Sequence, residues 1–201
     1  AQIKSVRDAV VHSFDVMLDT ARACKPRNGY LITKKGRRLM VGDLRRAIRS
    51  ELFARNAVDS AGLIVAQGRD GAVPHNSGQD RTPVRLGQPI VFDIYPQQIG
   101  GGYFFDFTRT VCFGPAPRPL KDLYNTVSCA HDLALRLLRV GRRTRDIELK
   151  VCEFFEQKGH RTFLSDPKTQ IGYCHSLGHG IGLNIHEGPY FNLGITNKDR
   201  I

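Results

Sequence analysis

Three histidines fall within twelve residues of one another, in the segment Cys174-His175-Ser-Leu-Gly-His179-Gly-Ile-Gly-Leu-Asn-Ile-His186-Glu187-Gly-Pro. Imidazole ligates transition metals and carries protons near neutral pH. Glycines 178, 180 and 182 frame these histidines, and a residue without a Cβ lets the backbone approach a ligand closely. Two aspartates upstream add a second kind of ligand. Asp93 follows the apolar run Ile90-Val91-Phe92, and Asp106 sits within Tyr-Phe-Phe-Asp-Phe-Thr-Arg-Thr. A carboxylate among buried apolar neighbours is costly unless it is paired or bound to metal. Two adjacent antiparallel strands bring such carboxylates onto one face, where they could share divalent ions. Taken alone, the two acids also allow a plainer reading, in which one caps a turn and the other pairs with Arg109. A mononuclear zinc site built from Cys174, His175 and His179 is disfavoured, because neighbours on a strand point to opposite faces.

The elements that must hold these residues follow from periodicity. Ile3, Val6, Val10, Phe14, Met17, Leu18 and Ala21 recur at helical spacing over residues 3–24. Pro26, Asn28 and Gly29 end that helix, and a polar, basic loop follows to Met40. A second helix over 43–56 carries Leu44, Ile48 and Leu52 on one face. Leu63–Ala66 reads as a short buried strand, and 68–78 as an irregular loop. Strands are expected over 89–95 and 103–113, joined by the glycine-rich turn 96–102. The second half repeats this order. A long helix spans 119–139 with Leu120, Leu123, Val127, Ala130, Ala134, Leu137 and Leu138 on one stripe. A shorter helix begins at Thr144 as N-cap, carries Ile147, Val151, Phe154 and Phe155, and stops at Gly159. A strand begins over 171–177.

Bulk composition narrows the class. A hydrophobic fraction of 41% and a charged fraction of 24% are those of an ordinary globular chain. No apolar run reaches the roughly 20 residues that cross a bilayer, and the first residues lack a signal-peptide core. Five widely spaced cysteines without a Cys-x-x-Cys pair suit thiols packed in a reducing compartment, so a cytoplasmic location is expected. The net charge of +11 raises the question of nucleic acid. However, Lys and Arg are dispersed, with short clusters only at 34–38 and 142–145, which suits solvated surface better.

Together these segments resemble the superfamily of methionine aminopeptidases, aminopeptidase P, prolidase and creatinase, over essentially the whole chain and in the right order. The resemblance implies an α+β pita-bread fold with a pseudo-two-fold repeat, incomplete at its C-terminal end. Residues 1–201 would form a partial catalytic domain, with a first half of about 1–117 and a second from about 118. In that family the first metal ligand ends an apolar strand, which corresponds to Asp93. The second lies in an Asp-x-Thr-Arg-Thr segment, matched by Asp106 to Thr110, and the histidine ligand lies within Gly-His-Gly-Ile-Gly, which is His179. Gly-Ala-Val-Pro-His75, followed by Arg81, Leu86 and Gly87, resembles the substrate-binding histidine region. His75 and His186 would then contact the scissile carbonyl or the gem-diolate, and His175 would shape the subsite near proline. His175, four positions before the ligand, and the run Gly-Leu-Asn-Ile-His-Glu-Gly-Pro favour the aminopeptidase P and prolidase branch over methionine aminopeptidases.

The implied activity is hydrolysis of Xaa-Pro bonds, releasing N-terminal residues or acting on dipeptides through a metal-activated water. Two divalent ions are implied, with manganese, cobalt, zinc and iron all suited to the ligands. The partner would be a peptide with proline at its second position; a homodimer is allowed, and neither membrane nor nucleic acid is expected. Two departures qualify the resemblance. The aspartates stand thirteen positions apart, two more than is common in the family. An even insertion preserves which face each strand residue takes, and the 97–102 turn has room for it. Two glutamate ligands expected after the Gly-His-Gly segment lie beyond Ile201, and prolidase-type relatives also carry an N-terminal domain. The 201-residue chain alone is therefore expected to bind metal weakly or not at all and to lack peptidase activity. A non-catalytic pita-bread module binding protein or nucleic acid is the alternative. It is the less economical reading, since three ligands and three further histidines are intact.

Overall fold

The computed structural model describes residues 2–201. Its first element, α1 (Gln2–Arg22), follows from the apolar spacing: Val6, Ala9, Val10, Met17 and Ala21 form one buried stripe. The polar segment after it is not a plain loop. Strands β1 (Lys25–Arg27) and β2 (Tyr30–Ile32) pair as a tight hairpin around Asn28 and Gly29, which take φ of 51° and 77°. Asn-Gly is the pair that a two-residue turn with positive φ demands, so the signal was present in the sequence. Helix α2 (Val41–Ala54) starts two residues earlier than its periodicity suggests. Asp43 accepts the Met40 backbone N–H at 2.9 Å and binds the Arg37 guanidinium through both oxygens.

Five strands and a 3₁₀ turn (Asp70–Ala72) follow α2 as far as Cys112: β3 (Ala57–Val58), β4 (Leu63–Gln67), β5 (Pro89–Ile94), β6 (Gln97–Gln98) and β7 (Phe107–Cys112). Strands β4, β5 and β7 form an antiparallel sheet with β5 central, while β3 pairs with β6. Along β5, Ile90, Phe92 and Ile94 are fully buried and pack with Val10, Met17, Leu44 and Ile48. Phe14 of α1 meets Phe92 and Phe107 edge-on at 5.8 and 5.4 Å between centroids. Strand β7 begins at Phe107 rather than at Tyr103. The amides of Phe104 and Phe105 bond the carbonyls of Gly182 and Pro96 instead of extending the ladder. These elements form one unit, Ala1–Pro117 together with Ile181–Ile185.

The second unit comprises Arg118–Gly180 and His186–Ile201. Helix α3 (Arg118–Leu137) packs on α4 (Thr144–Gln157) through Ala130, Ala134, Val151 and Phe155. Only the later turns of the α3 stripe are covered by this contact, and Leu123 and Val127 stay exposed. Thr144 is not the N-cap. Arg143 takes that position, and the Thr144 hydroxyl is buried, donating to the Tyr190 carbonyl at 2.7 Å. Helix α4 ends just before Gly159, the expected stop. Residues 171–177 form no strand, because their amides are engaged elsewhere: Tyr173 N–H bonds Arg161 O, and Leu177 N–H bonds Glu148 Oε2. The short strands β8 (Gly178–Gly180) and β9 (Glu187–Phe191) pair antiparallel with a register shift after His179. Among the described residues no helix is long and apolar enough to cross a membrane.

The Arg37 guanidinium holds the Asp43 carboxyl down at about 2, against the opposing effect of burial. A carboxyl with a lowered folded pKa stabilises above its ordinary range and loses that contribution as pH falls through the folded value. Asp43→Asn is expected to cost about 1–2 kcal/mol at pH 7, discounted because Arg37 is half exposed. In urea unfolding, the gap between native and variant should close as pH drops from about 4 to about 2.

Candidate metal centre

In the first unit, burial of Ile90, Phe92 and Ile94 turns Val91, Asp93 and Tyr95 to the opposite face of β5. Asp93 stands directly opposite Thr108 on β7, whose hydroxyl donates to Asp93 Oδ1 at 2.8 Å. The same register, carried one pair past the ladder, sets Asp106 beside Tyr95 and diagonal to Asp93. Burial first, then the negative charges of Asp93, Asp106 and Asp59, push the Tyr95 hydroxyl above its ordinary value. Both predicted carboxylates therefore border one patch of sheet. Between β5 and β7 the chain leaves the sheet at β6, which pairs with β3, and the β5–β7 register resumes at Ile94 and Phe107. His75 follows the 3₁₀ turn with a φ of 62°, a left-handed value uncommon outside glycine.

In the second unit, His179 is the middle residue of β8. Its ring meets that of His186 edge-on, with centroids 4.3 Å apart. His179 Nδ1 lies 2.9 Å from the Gly180 carbonyl, and His175 Nδ1 lies 2.9 Å from the Ser176 carbonyl. A carbonyl oxygen accepts, so in each of these contacts the ring nitrogen Nδ1 is the donor. A cavity of about 490 Å³ in this unit is lined by residues that include Arg145, Glu148, Ser176 and Asn192, and none of the three histidines contributes to it.

The donor chemistry suits a divalent ion in part. Asp93 on β5 and Asp106, one residue before β7, offer hard oxygen ligands, and His179 offers an imidazole. Among the described residues, however, no group of three or more His, Cys, Asp or Glu side chains is arranged to hold a metal ion. Thr108 was not singled out from sequence, although it lies inside the Asp-x-Thr-Arg-Thr segment. Its alternation with Asp106 was the available signal. Tyr95 was also passed over, and it is two residues from Asp93 on the same face.

The arrangement of helices and strands defines the class first. The chain matches, over its full length, the X-Pro aminopeptidase of Thermotoga maritima, with a TM-score of 0.74, 26% identity and half of that chain covered. It matches the prolidase of Pyrococcus furiosus over 96% of its length, with a TM-score of 0.70, 20% identity and again half of that chain covered. This is the α+β pita-bread fold of the aminopeptidases and prolidases. By sequence, a probable dipeptidase PepE of Mycobacterium tuberculosis is 29% identical over 152 residues, which is 76% of this chain and 38% of the relative. The Xaa-Pro dipeptidase of Pyrococcus furiosus is 28% identical over 126 residues, 63% of this chain and 33% of the relative. The profile of metallopeptidase family M24 matches residues 4–201, and the chain belongs to that family. The matched regions span about half of the solved relatives and between a third and two fifths of the curated ones.

The glycines on either side of His179 differ in the space around them. A Cβ on Gly180 would collide with the Gly188 carbonyl, whereas one on Gly178 would find its nearest neighbour, Phe191 Cδ2, at 4.0 Å. Gly180→Ala is therefore expected to lose about 1–3 kcal/mol by forcing β8 from β9, and Gly178→Ala about 0.5 kcal/mol or less. Thermal unfolding of the two variants checks this, and equal losses would refute the packing explanation.

Proposed function

We propose that the protein carrying this chain is a metal-dependent peptidase that hydrolyses Xaa-Pro bonds, as an aminopeptidase or a dipeptidase. The observation that supports it most is the shared face of Asp93 and Asp106, with the Thr108 hydroxyl fixed on Asp93. On the same strand the Arg109 guanidinium donates to the Thr108 carbonyl and lies over the Phe107 ring. The family membership and the peptidase relatives point the same way.

In this reading Asp93 and Asp106 supply carboxylate ligands, and His179 supplies its Nε2 lone pair. Two divalent ions, of manganese, cobalt, zinc or iron, would lower the pKa of a bound water and so provide a nucleophile at neutral pH. Thr108 holds Asp93 Oδ1 and thereby restricts which carboxylate lone pairs face outward. His75 and His186 stabilise charge developing on the scissile carbonyl oxygen. His175 borders the subsite that receives proline. Five unpaired cysteines accord with a reducing, cytoplasmic setting.

The test is Asp106→Ala in the whole protein, with an Xaa-Pro dipeptide and an Xaa-Pro tripeptide as substrates. Activity is expected to fall by about 100-fold or more, together with bound metal, since even outer partners of a metal ligand cost about 10–100-fold. Unchanged turnover and metal content would overturn the assignment. Cleavage of the tripeptide but not the dipeptide would mark an aminopeptidase.

A further inference from the structure

One buried charge in each unit has no role in the chemistry above. Glu148 of α4 is only 1% exposed. Its Oε2 accepts the Leu177 backbone N–H at 2.7 Å, and its Oε1 lies 3.7 Å from Cys152 Sγ. Leu177 is the residue directly before β8, and its partly buried side chain packs into the α3–α4 core. A carboxylate removed from water needs compensation of this kind. Burial pushes the Glu148 carboxyl up, and the Leu177 amide is the first of the contacts that pull it back.

The first unit contains a counterpart. Arg45 is the fifth residue of α2, as Glu148 is the fifth residue of α4. Arg45 is also buried, and its guanidinium donates to the carbonyls of Ser77 and Val65 while pairing with Asp80. Ser77 lies two residues after His75, and Leu177 lies two residues before His179. Thus the same position of each short helix sends a buried charge to the backbone beside a site histidine. A merely structural ion would have no reason to choose that neighbour twice.

We propose that Glu148 is a positioning residue for His179: by fixing the Leu177 amide it sets where β8 starts and hence where the His179 imidazole is presented. This rests on the reading of His179 as a metal ligand. Glu148 touches neither substrate nor metal in this assignment. Its effect passes through one peptide unit and two residues of strand.

The experiment compares Glu148→Leu, Glu148→Gln and the control His179→Ala in the whole protein. The readouts are manganese affinity by calorimetry, broadening of the His179 ring resonances by manganese, and thermal unfolding. Glu148→Leu removes the acceptor and is expected to weaken manganese binding by about tenfold or more and to shift the His179 resonances. Glu148→Gln keeps an acceptor without the charge and should fall between native and Glu148→Leu. If His179→Ala weakens binding while Glu148→Leu lowers only the unfolding temperature, the positioning role is overturned and the ligand assignment stands. If His179→Ala leaves binding unchanged, the ligand assignment fails and the positioning role fails with it. Should Glu148→Leu not fold, Glu148→Gln decides: native affinity and native His179 resonances would overturn the proposal.

Discussion

Asp93 faces away from the core because Ile90, Phe92 and Ile94 are drawn into it, and the first unit is organised around that alternation. Phe92 is wedged against Phe14 of α1, so the strand cannot slide along its partners without exposing three large side chains and burying a carboxylate. The transfer of one such side chain is worth about 1.5–3 kcal/mol. A one-residue slip therefore costs more than any local hydrogen bond could return. Facing is thus set by oil rather than by the acids themselves. The sheet would present Asp93 and Asp106 on one side whether or not anything bound there, and the Thr108 hydroxyl refines the geometry at Asp93.

The second unit solves the same problem with less apolar leverage. Strands β8 and β9 are three and five residues long, and their buried apolar share is small next to that of β5. Polar contacts take over the task. Thr144 and Asn197 both bond the Tyr190 carbonyl, Asp199 accepts the Tyr190 amide, and Glu148 accepts that of Leu177. Such contacts fix position sharply, but each is worth about 1 kcal/mol net. Close backbone approach at Gly180 completes the hold on the histidine strand.

The helices, the buried strands and the histidine cluster were legible because each leaves a periodic or compositional mark. Long helices of 21 and 20 residues and short ones of 14 each match the expected repeat of long then short. What escaped notice has particular causes. The β1–β2 hairpin was hidden by its strands of three residues and their basic composition, although Asn28-Gly29 announced the turn. The stretch 171–177 looked like a strand because it is apolar at both ends, yet its amides are spoken for by Arg161 and Glu148. Glu148 went unread because the helix was recognised by its apolar residues alone. The mark that could have exposed it is its place between Thr144 and Cys152, four residues either way, on a face that is buried throughout.

The opposite signs of Arg45 and Glu148 give the duplication a direction. Both units use the fifth residue of a short helix to grip a backbone, but one grips carbonyls with a cation and the other grips an amide with an anion. An α2 that docked in the place of α4 would set a guanidinium against an N–H, donor against donor, and strand a buried charge. The polarity of these two residues therefore makes the two short helices non-interchangeable at that position.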